Sequence, residues 1–379
     1  MERGLFQEEH LIFREAFRKF LDKEIAPYYE QWEEDGIVPK AVWHKTGENG
    51  YLCPWVAEEY GGAGAGLEYS IIMAEEMSRR DYVGFAHSLH SNVIVPYIDT
   101  YGNEDQKRRW LPGCVSGEII TAIAMTEPNA GSDLAAIRTT AKRDGEDYIL
   151  NGQKTFISNG LNSNLVIVAA KTDPAAGYKG ISLIGVEEGA SGFSRGRKLN
   201  KMGMHSQDTA ELIFEECRVP VANLLGEEGK GFRYLMEKLQ RERLFSVTGS
   251  QAMAEAMLAL TIQYCKEREI FGKPVGSFQH NTFKLVEMAT EIELGRTFVD
   301  ALIKEHIAGI DITKKVCMAK SWVAEMANRV AYNCLQLFGG YGYMEEYPIC
   351  RFARDVRVQT IYAGSTEVMK SVVGKMLGF

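Results

Sequence analysis

No basic run, no C-x-x-C pair and no long apolar stretch occurs in this chain of 379 residues. Lysine and arginine number 43 against 51 aspartates and glutamates, a net charge of -8. Binding to phosphate backbones needs a concentrated positive face, so no nucleic-acid partner is expected. The seven cysteines, Cys53, Cys114, Cys217, Cys265, Cys317, Cys334 and Cys350, are scattered and odd in number. That argues against a disulfide framework and a zinc site, and no metal is expected; a reducing compartment fits. The longest apolar runs, such as residues 165–170, fall far short of the roughly 20 residues that span a bilayer. The start, MERGLFQEEH, is acidic and helix-like, neither a signal peptide nor an Arg- and Ser-rich transit sequence. The expected location is the cytoplasm, or an organelle matrix after trimming. Internal repeats and low-complexity tracts are absent.

What is present is ordinary for a globular protein, 45% hydrophobic and 25% charged, with a length that suggests two or three domains. Residues 1–118 read as helical: Phe6, Leu11, Phe13, Phe17, Phe20 and Leu21 recur at helical spacing. The glycine-rich stretch 61–66 follows no strand and reads as a turn rather than a phosphate cradle. Over 119–228 short β-like runs alternate with turn signals such as Asn151-Gly152 and Asp173-Pro174, the pattern of a small antiparallel β domain. From 229 to 379 long helical segments return, at about 280–307 and 312–337. The expected order is α, β, α.

Four segments carry possible chemistry. AMTEPNAGSDL (residues 124–134) and FISNG (residues 156–160) are either two polar turns joining strands, or hydroxyls and open backbone beside an aromatic, a set that can bind a planar heterocycle. On the helix after Gly229, the apolar face from Leu239 continues through Glu242, Ser246, Gly249 and Met253. Glu242 therefore stands on an inward stripe. Either it is salt-bridged to a neighbouring helix, or it is a desolvated base with a pKa above the usual ~4.3, with Ser246 and Gly249 leaving room for a substrate. The paired Gly339-Gly340 in QLFGGYGY either ends a helix or lets a ligand approach the backbone. In IYAGSTE, Ser365 or Thr366 caps the last helix, whose N-terminus also suits a phosphate or polar cofactor edge.

Together these segments, with REIFGK at 268–273, resemble the acyl-CoA dehydrogenase family in order and spacing along nearly the whole chain, and look closest to its long-chain and isovaleryl members. The resemblance implies a mainly α protein with a central, barrel-like β domain: an α-helical N-terminal domain, a middle β domain and a C-terminal four-helix bundle. It implies a homotetramer with FAD bound between domains and subunits. Met125, Thr126, Ser132, Phe156, Ile157 and Ser158 would line the flavin ring. Arg268, Phe271, Gln279, Gln336, Leu337, Gly339 and Gly340 would hold the ADP portion across a subunit interface, and Ser365 and Glu367 would sit near the middle of the cofactor. Ser132, Gln240, Arg243, Ala363 and Gly364 would contact the acyl-CoA substrate.

One departure matters. Many members carry the catalytic glutamate in the last motif, where this chain has Ala363. The long-chain and isovaleryl members look similar in lacking it, and use a glutamate at the position of Glu242. The implied reaction is α,β-dehydrogenation of the thioester to a 2,3-enoyl-CoA. Glu242 takes the α proton, the Ala363 N–H and a ribityl hydroxyl of FAD polarise the carbonyl, and an electron-transferring flavoprotein receives the electrons. The small Ala363 and Gly249 suggest a long or α-branched chain, and the missing arginine near Gly84 disfavours a dicarboxylate. Two other readings share the resemblance: an oxidase or monooxygenase of the same fold, and a catalytically silent binding or structural member.

Overall fold

Alternating amphipathic helices build the first part of the chain in the computed structural model, which describes residues 3–379; the first two positions of the acidic start lie outside the described residues. Its helices are α1 (Glu8–Phe20), α2 (Tyr29–Asp35), α3 (Lys40–Glu48), α4 (Leu67–Arg79), α5 (Val95–Tyr101) and α6 (Glu104–Ser116). Glu8 and Glu9 in the first turn of α1 and Arg18 and Lys19 in its last match the helix dipole. Phe17 and Phe20 are buried, but Leu11 is 54% exposed, so the buried face of α1 is narrower than its apolar spacing predicts. A π-helical turn, Leu89–Ile94, feeds α5. α6 opens on an Asn103/Gln106 capping box and stops at Gly117 with φ 82°, a left-handed stop that glycine adopts without strain.

The β part has strands β1 (Thr121–Ala124), β2 (Thr140–Asp144), β3 (Asp147–Ser158), β4 (Leu165–Lys171), β5 (Ile181–Glu187), β6 (Phe193–Lys198), β7 (Thr209–Pro220) and β8 (Leu224–Leu225). They form one sheet in the order β6-β7-β3-β2-β4-β5-β8, with β1 also on β4. The expectation of a purely antiparallel domain needs correcting: β1 runs parallel to β4, and β2 meets β4 in parallel at Thr140 and Lys171. The reason is that β4 is buried along almost its whole length, as a strand covered on both faces must be. β3 pairs with β7 through two register shifts, the second between Lys154 and Ile157.

The last part holds α7 (Gly231–Glu267), a short hairpin of β9 (Glu269–Ile270) and β10 (Lys273–Pro274), then α8 (Gln279–Ile307), α9 (Thr313–Phe338), α10 (Pro348–Asp355) and α11 (Thr366–Met376). α7, α8 and α9 pack on one another, α11 packs on α9 and α4 packs on α7, so the bundle is seated on the N-terminal helices. A buried ion network ties that seam: Glu75 of α4 bonds Arg3 and Arg296, while Glu255 bonds Arg79 and Arg296. A second seam joins all three parts. Asp355 of α10 accepts from Met204 N–H at 2.6 Å, Glu33 of α2 accepts from Ser206 N–H at 2.8 Å, and Arg351 bonds Asp81 at 3.2 Å. One oxygen of Asp81 and one of Asp355 are buried there without a hydrogen-bond partner. All seven cysteines are free and buried.

Candidate active site

Glu242 lies on α7 beside α9, where α5 also reaches α7. Although the residue keeps partial contact with solvent, its Oε2 is buried and has no hydrogen-bond partner. Burial raises its pKa, and the charges of Arg243 and Lys320 hold that rise back. A carboxylate kept dry holds a proton more tightly than one in water, and the flanking cations limit that effect. The Tyr97 hydroxyl from α5 is likewise buried and unpartnered, and its pKa is raised by burial and then by the Glu242 charge.

Arg243, only 7% exposed, donates to Cys317 Sγ of α9 at 3.3 Å, and its Nε is buried without a partner. That unused donor is available to a polar ligand. The turn before α11 completes this centre. Ala363 and Gly364 both adopt left-handed backbone, φ 51° and 86°, and Ser365 caps α11 by accepting from Val368 N–H at 3.4 Å. A side chain on Gly364 would meet the end of Met369 and approach Arg243. Glu367 is exposed in the first turn of α11. Gln240, one turn away, bonds Asp311 at 2.7 Å and Thr313 at 2.9 Å. Gly249 does not open onto this space: it is buried, and a Cβ there would lie 3.1 Å from Ser78 Oγ. It serves the close packing of α4 on α7, so the room expected from it is not there. Gly84 is filled in the same way by Ser206 and Tyr29.

A second group gathers on the sheet. The register shift in β3 throws Phe156 outward, with φ 60° and 68% exposure. Bulges re-aim side chains in this way, and a bare phenylalanine in strained backbone is a ready wall for a planar ring. Ser158 follows, bonded to Gln207 at 3.0 Å, and Ser132 is exposed on its loop. The Ile157 side chain is 2% exposed in the sheet core, so only its backbone remains for a ligand. The loop holding Met125 and Thr126 is fixed from beneath. Thr155 N–H donates to Thr126 O at 3.0 Å, and the buried Lys154 bonds Met125 O at 3.1 Å and Glu127 at 2.8 Å.

The remaining predicted residues collect elsewhere. Arg268 ends α7 with its guanidinium over Tyr341, 5.4 Å from the ring centroid. Phe271 stands 92% exposed at φ 51°, Gln279 starts α8, and Gln336 and Leu337 end α9. A Cβ added at Gly339 or Gly340 would meet nothing within 4 Å, the open backbone a close-lying ligand requires. Arg268 follows Glu242 by 26 residues, about 39 Å along a helix rising 1.5 Å per residue. Glu242 and Arg268 thus mark two separate clusters, one in the N-terminal third of α7 and one at its C-terminal end, with the Phe156 group on the sheet.

Lys320, Tyr97, Gln207 and the Lys154–Glu127 pair were not singled out by the sequence reading. Lys320 carried a signal: it falls on the stripe Val316, Lys320, Val323, Ala327, Val330, all buried, as a charge on a core face.

Three family models match the chain: the acyl-CoA dehydrogenase N-terminal domain over residues 7–118, the middle domain over 122–217 and the C-terminal domain over 229–378. The chain is 46% identical to a long-chain specific mitochondrial acyl-CoA dehydrogenase of Rattus norvegicus, covering 99% of this chain and 88% of that protein. It is 38% identical to a mitochondrial isovaleryl-CoA dehydrogenase of Solanum tuberosum over 98% and 91% of the two chains. A crystal structure of an acyl-CoA dehydrogenase from Geobacillus kaustophilus superposes with a TM-score of 0.97 at 57% identity, covering 99% of each chain.

Proposed function

The chain belongs to the acyl-CoA dehydrogenase family, and from that premise we propose that Glu242 is the base of its FAD-dependent α,β-dehydrogenation of an acyl-CoA thioester. The observation that carries the assignment is the buried, unpartnered Oε2 of Glu242 in a chain whose last motif offers only the methyl group of Ala363. The chain's residues suit FAD: an exposed Phe156 on a bulge, and open backbone at Gly339 and Gly340. FAD, when bound, supplies the acceptor for the β-hydrogen and its electron pair.

The chain's own residues do the rest. The α proton passes to Glu242 Oε2. The N–H of Ala363 faces the thioester carbonyl and stabilises the enolate charge that develops there. Arg243 Nε, and Ser132 and Gln240 at the margins, contact the coenzyme-A portion, with Gly364 beside them. Phe156, the backbone of Ile157, Met125, Thr126 and Ser158 line the flavin ring, and Ser365 and Glu367 its middle portion.

Arg268, Phe271, Gln279, Gln336, Leu337, Gly339 and Gly340 hold the ADP portion of a neighbouring subunit's FAD, within a homotetramer. The length of α7 supports this, because Glu242 and Arg268, 26 residues apart along it, stand farther apart than an extended FAD reaches. We place the domains at 1–118, 119–228 and 229–379. The favoured substrate is a monocarboxylic acyl-CoA with a long or α-branched chain, and the electron acceptor is an electron-transferring flavoprotein. No described helix is long and apolar enough to cross a membrane, and we place the protein in the bacterial cytosol or an organelle matrix. Anaerobic bleaching of the flavin by acyl-CoAs of graded length and branching, in wild type and Glu242→Gln, tests the base and the substrate together.

A further inference from the structure

Lys320 is 1% exposed, and among the described residues no carboxylate bonds it. Its ammonium donates instead to three carbonyls: that of Gln359, that of Tyr362 at 2.9 Å and that of Gly364 at 3.2 Å. An ammonium has three donors, so all of them serve the one loop that leads into α11. Burying a charge away from water is costly: burial lowers this amine's pKa to about 8, and the nearby Glu242 carboxylate only partly offsets that. A neutral donor would fix the loop at less cost, so the charge itself calls for an explanation.

The geometry of the turn supplies one. Ala363 adopts φ 51°, a left-handed conformation that strains an L-residue and therefore needs holding. A trans peptide is planar, with its C=O and N–H pointing opposite ways. Because Lys320 holds the Tyr362 oxygen, the N–H of the same peptide, which belongs to Ala363, points away from Lys320. Among the described residues nothing accepts that N–H. A cation on the oxygen also polarises the peptide and strengthens its N–H as a donor.

We propose that Lys320 is a positioning residue for the dehydrogenation: it aims the Ala363 N–H at the thioester carbonyl and polarises it, and so sets how acidic the substrate's α carbon becomes. The inference rests on the role proposed above for Ala363.

The test uses the FAD-loaded protein and a 2-enoyl-CoA labelled with carbon-13 at its thioester carbonyl. Difference infrared spectroscopy reads the carbonyl stretch, bound against free, in wild type, Lys320→Met and Lys320→Gln. Wild type should lower the stretch; Lys320→Met should lose most of that shift while the enoyl-CoA dissociation constant stays within a few-fold. Flavin bleaching should slow about tenfold with little change in KM, less than the ~10²–10³-fold loss of a whole oxyanion donor. Lys320→Gln, which keeps an uncharged donor one bond shorter, should fall between and serves alone if the methionine variant does not retain FAD. A wild-type shift that persists in both variants overturns the role of Lys320. No shift in wild type would instead overturn the reading of Ala363.

Discussion

The Glu242 carboxylate adds to the raised pKa of the Tyr97 hydroxyl, yet neither Glu242 Oε2 nor Tyr97 Oη is hydrogen-bonded. Two buried polar atoms close enough to feel each other's charge, both unsatisfied, suit a place where a ligand completes the bonding. Glu242→Gln keeps the shape and cannot accept a proton at neutral pH. FAD and acyl-CoA should still bind, and bleaching should fall by at least ~10²–10⁴-fold, the usual worth of a general base. Glu242→Gln with Ala363→Glu should recover part of it, with a bias to shorter chains. Bleaching near wild-type rate in the single variant would show that another group takes the proton.

The same carboxylate sets a stability prediction. Its folded pKa is raised above 4.5, so folding holds the proton more tightly than the unfolded chain does. Stability is therefore lost as pH rises from 4.5 through the folded value, and stays lower above it. Glu242→Gln should melt a few degrees higher than wild type at pH 8 and gain little at pH 4, as thermal scans would show.

Glu242 was legible because a charge at core spacing on a helix is a local pattern. Lys320 shows that pattern too, but what its ammonium meets are carbonyls from residues 359–364, and no spacing along α9 encodes that loop's return. The exposed Phe156 was legible as an aromatic beside hydroxyls; its bulge was not, since a register shift depends on the partner strand β7. The parallel pairing of β1 with β4 was hidden for a related reason. A strand buried on both faces shows an unbroken apolar run, and such a run does not reveal the direction of its neighbours.

Lys154 and Glu127 form a buried ion pair under the Met125–Thr126 loop. Burial pushes the Glu127 pKa up, but Lys154 and the N–H groups of Thr139 and Arg138 more than offset it, and the net shift is downward from 4.5. Its contribution is complete above that pH and is lost as pH falls through the lower folded value. Lys154→Met strands the carboxylate, a change that costs about 3–5 kcal/mol in such sites. The variant should hold FAD more weakly than wild type at pH 7, with the difference shrinking as acidification protonates the stranded Glu127, followed by flavin fluorescence.

Asp355 tests the seam where the three parts of the chain meet. Burial pushes its pKa up to about 7, against the hydrogen bond from Met204 and aided by Glu33. Stability is lost as pH rises from the ordinary 3.8 toward that value. Asp355→Asn should thus gain several degrees of melting temperature over wild type on going from pH 4 to pH 8. A difference independent of pH would mean that the carboxyl does not titrate there.

Arg268 offers a planar fork of donors suited to a pyrophosphate. Arg268→Ala should lose FAD and dissociate more readily on dilution, read by absorbance ratio and by size-exclusion chromatography at falling concentration. Full flavin content at high dilution would mean that the residue serves neither.

The single uninterrupted span of α7, 37 residues, has a genetic consequence. On the roles proposed above, a subunit carries its proton acceptor in the N-terminal third of this helix and the seat of its neighbour's cofactor at the C-terminal end, so defects at the two places would belong to different catalytic centres. Chains bearing Glu242→Gln and chains bearing Arg268→Ala, each idle alone, would regain activity when co-assembled, since some centres in the mixed oligomer draw an intact residue from each parent.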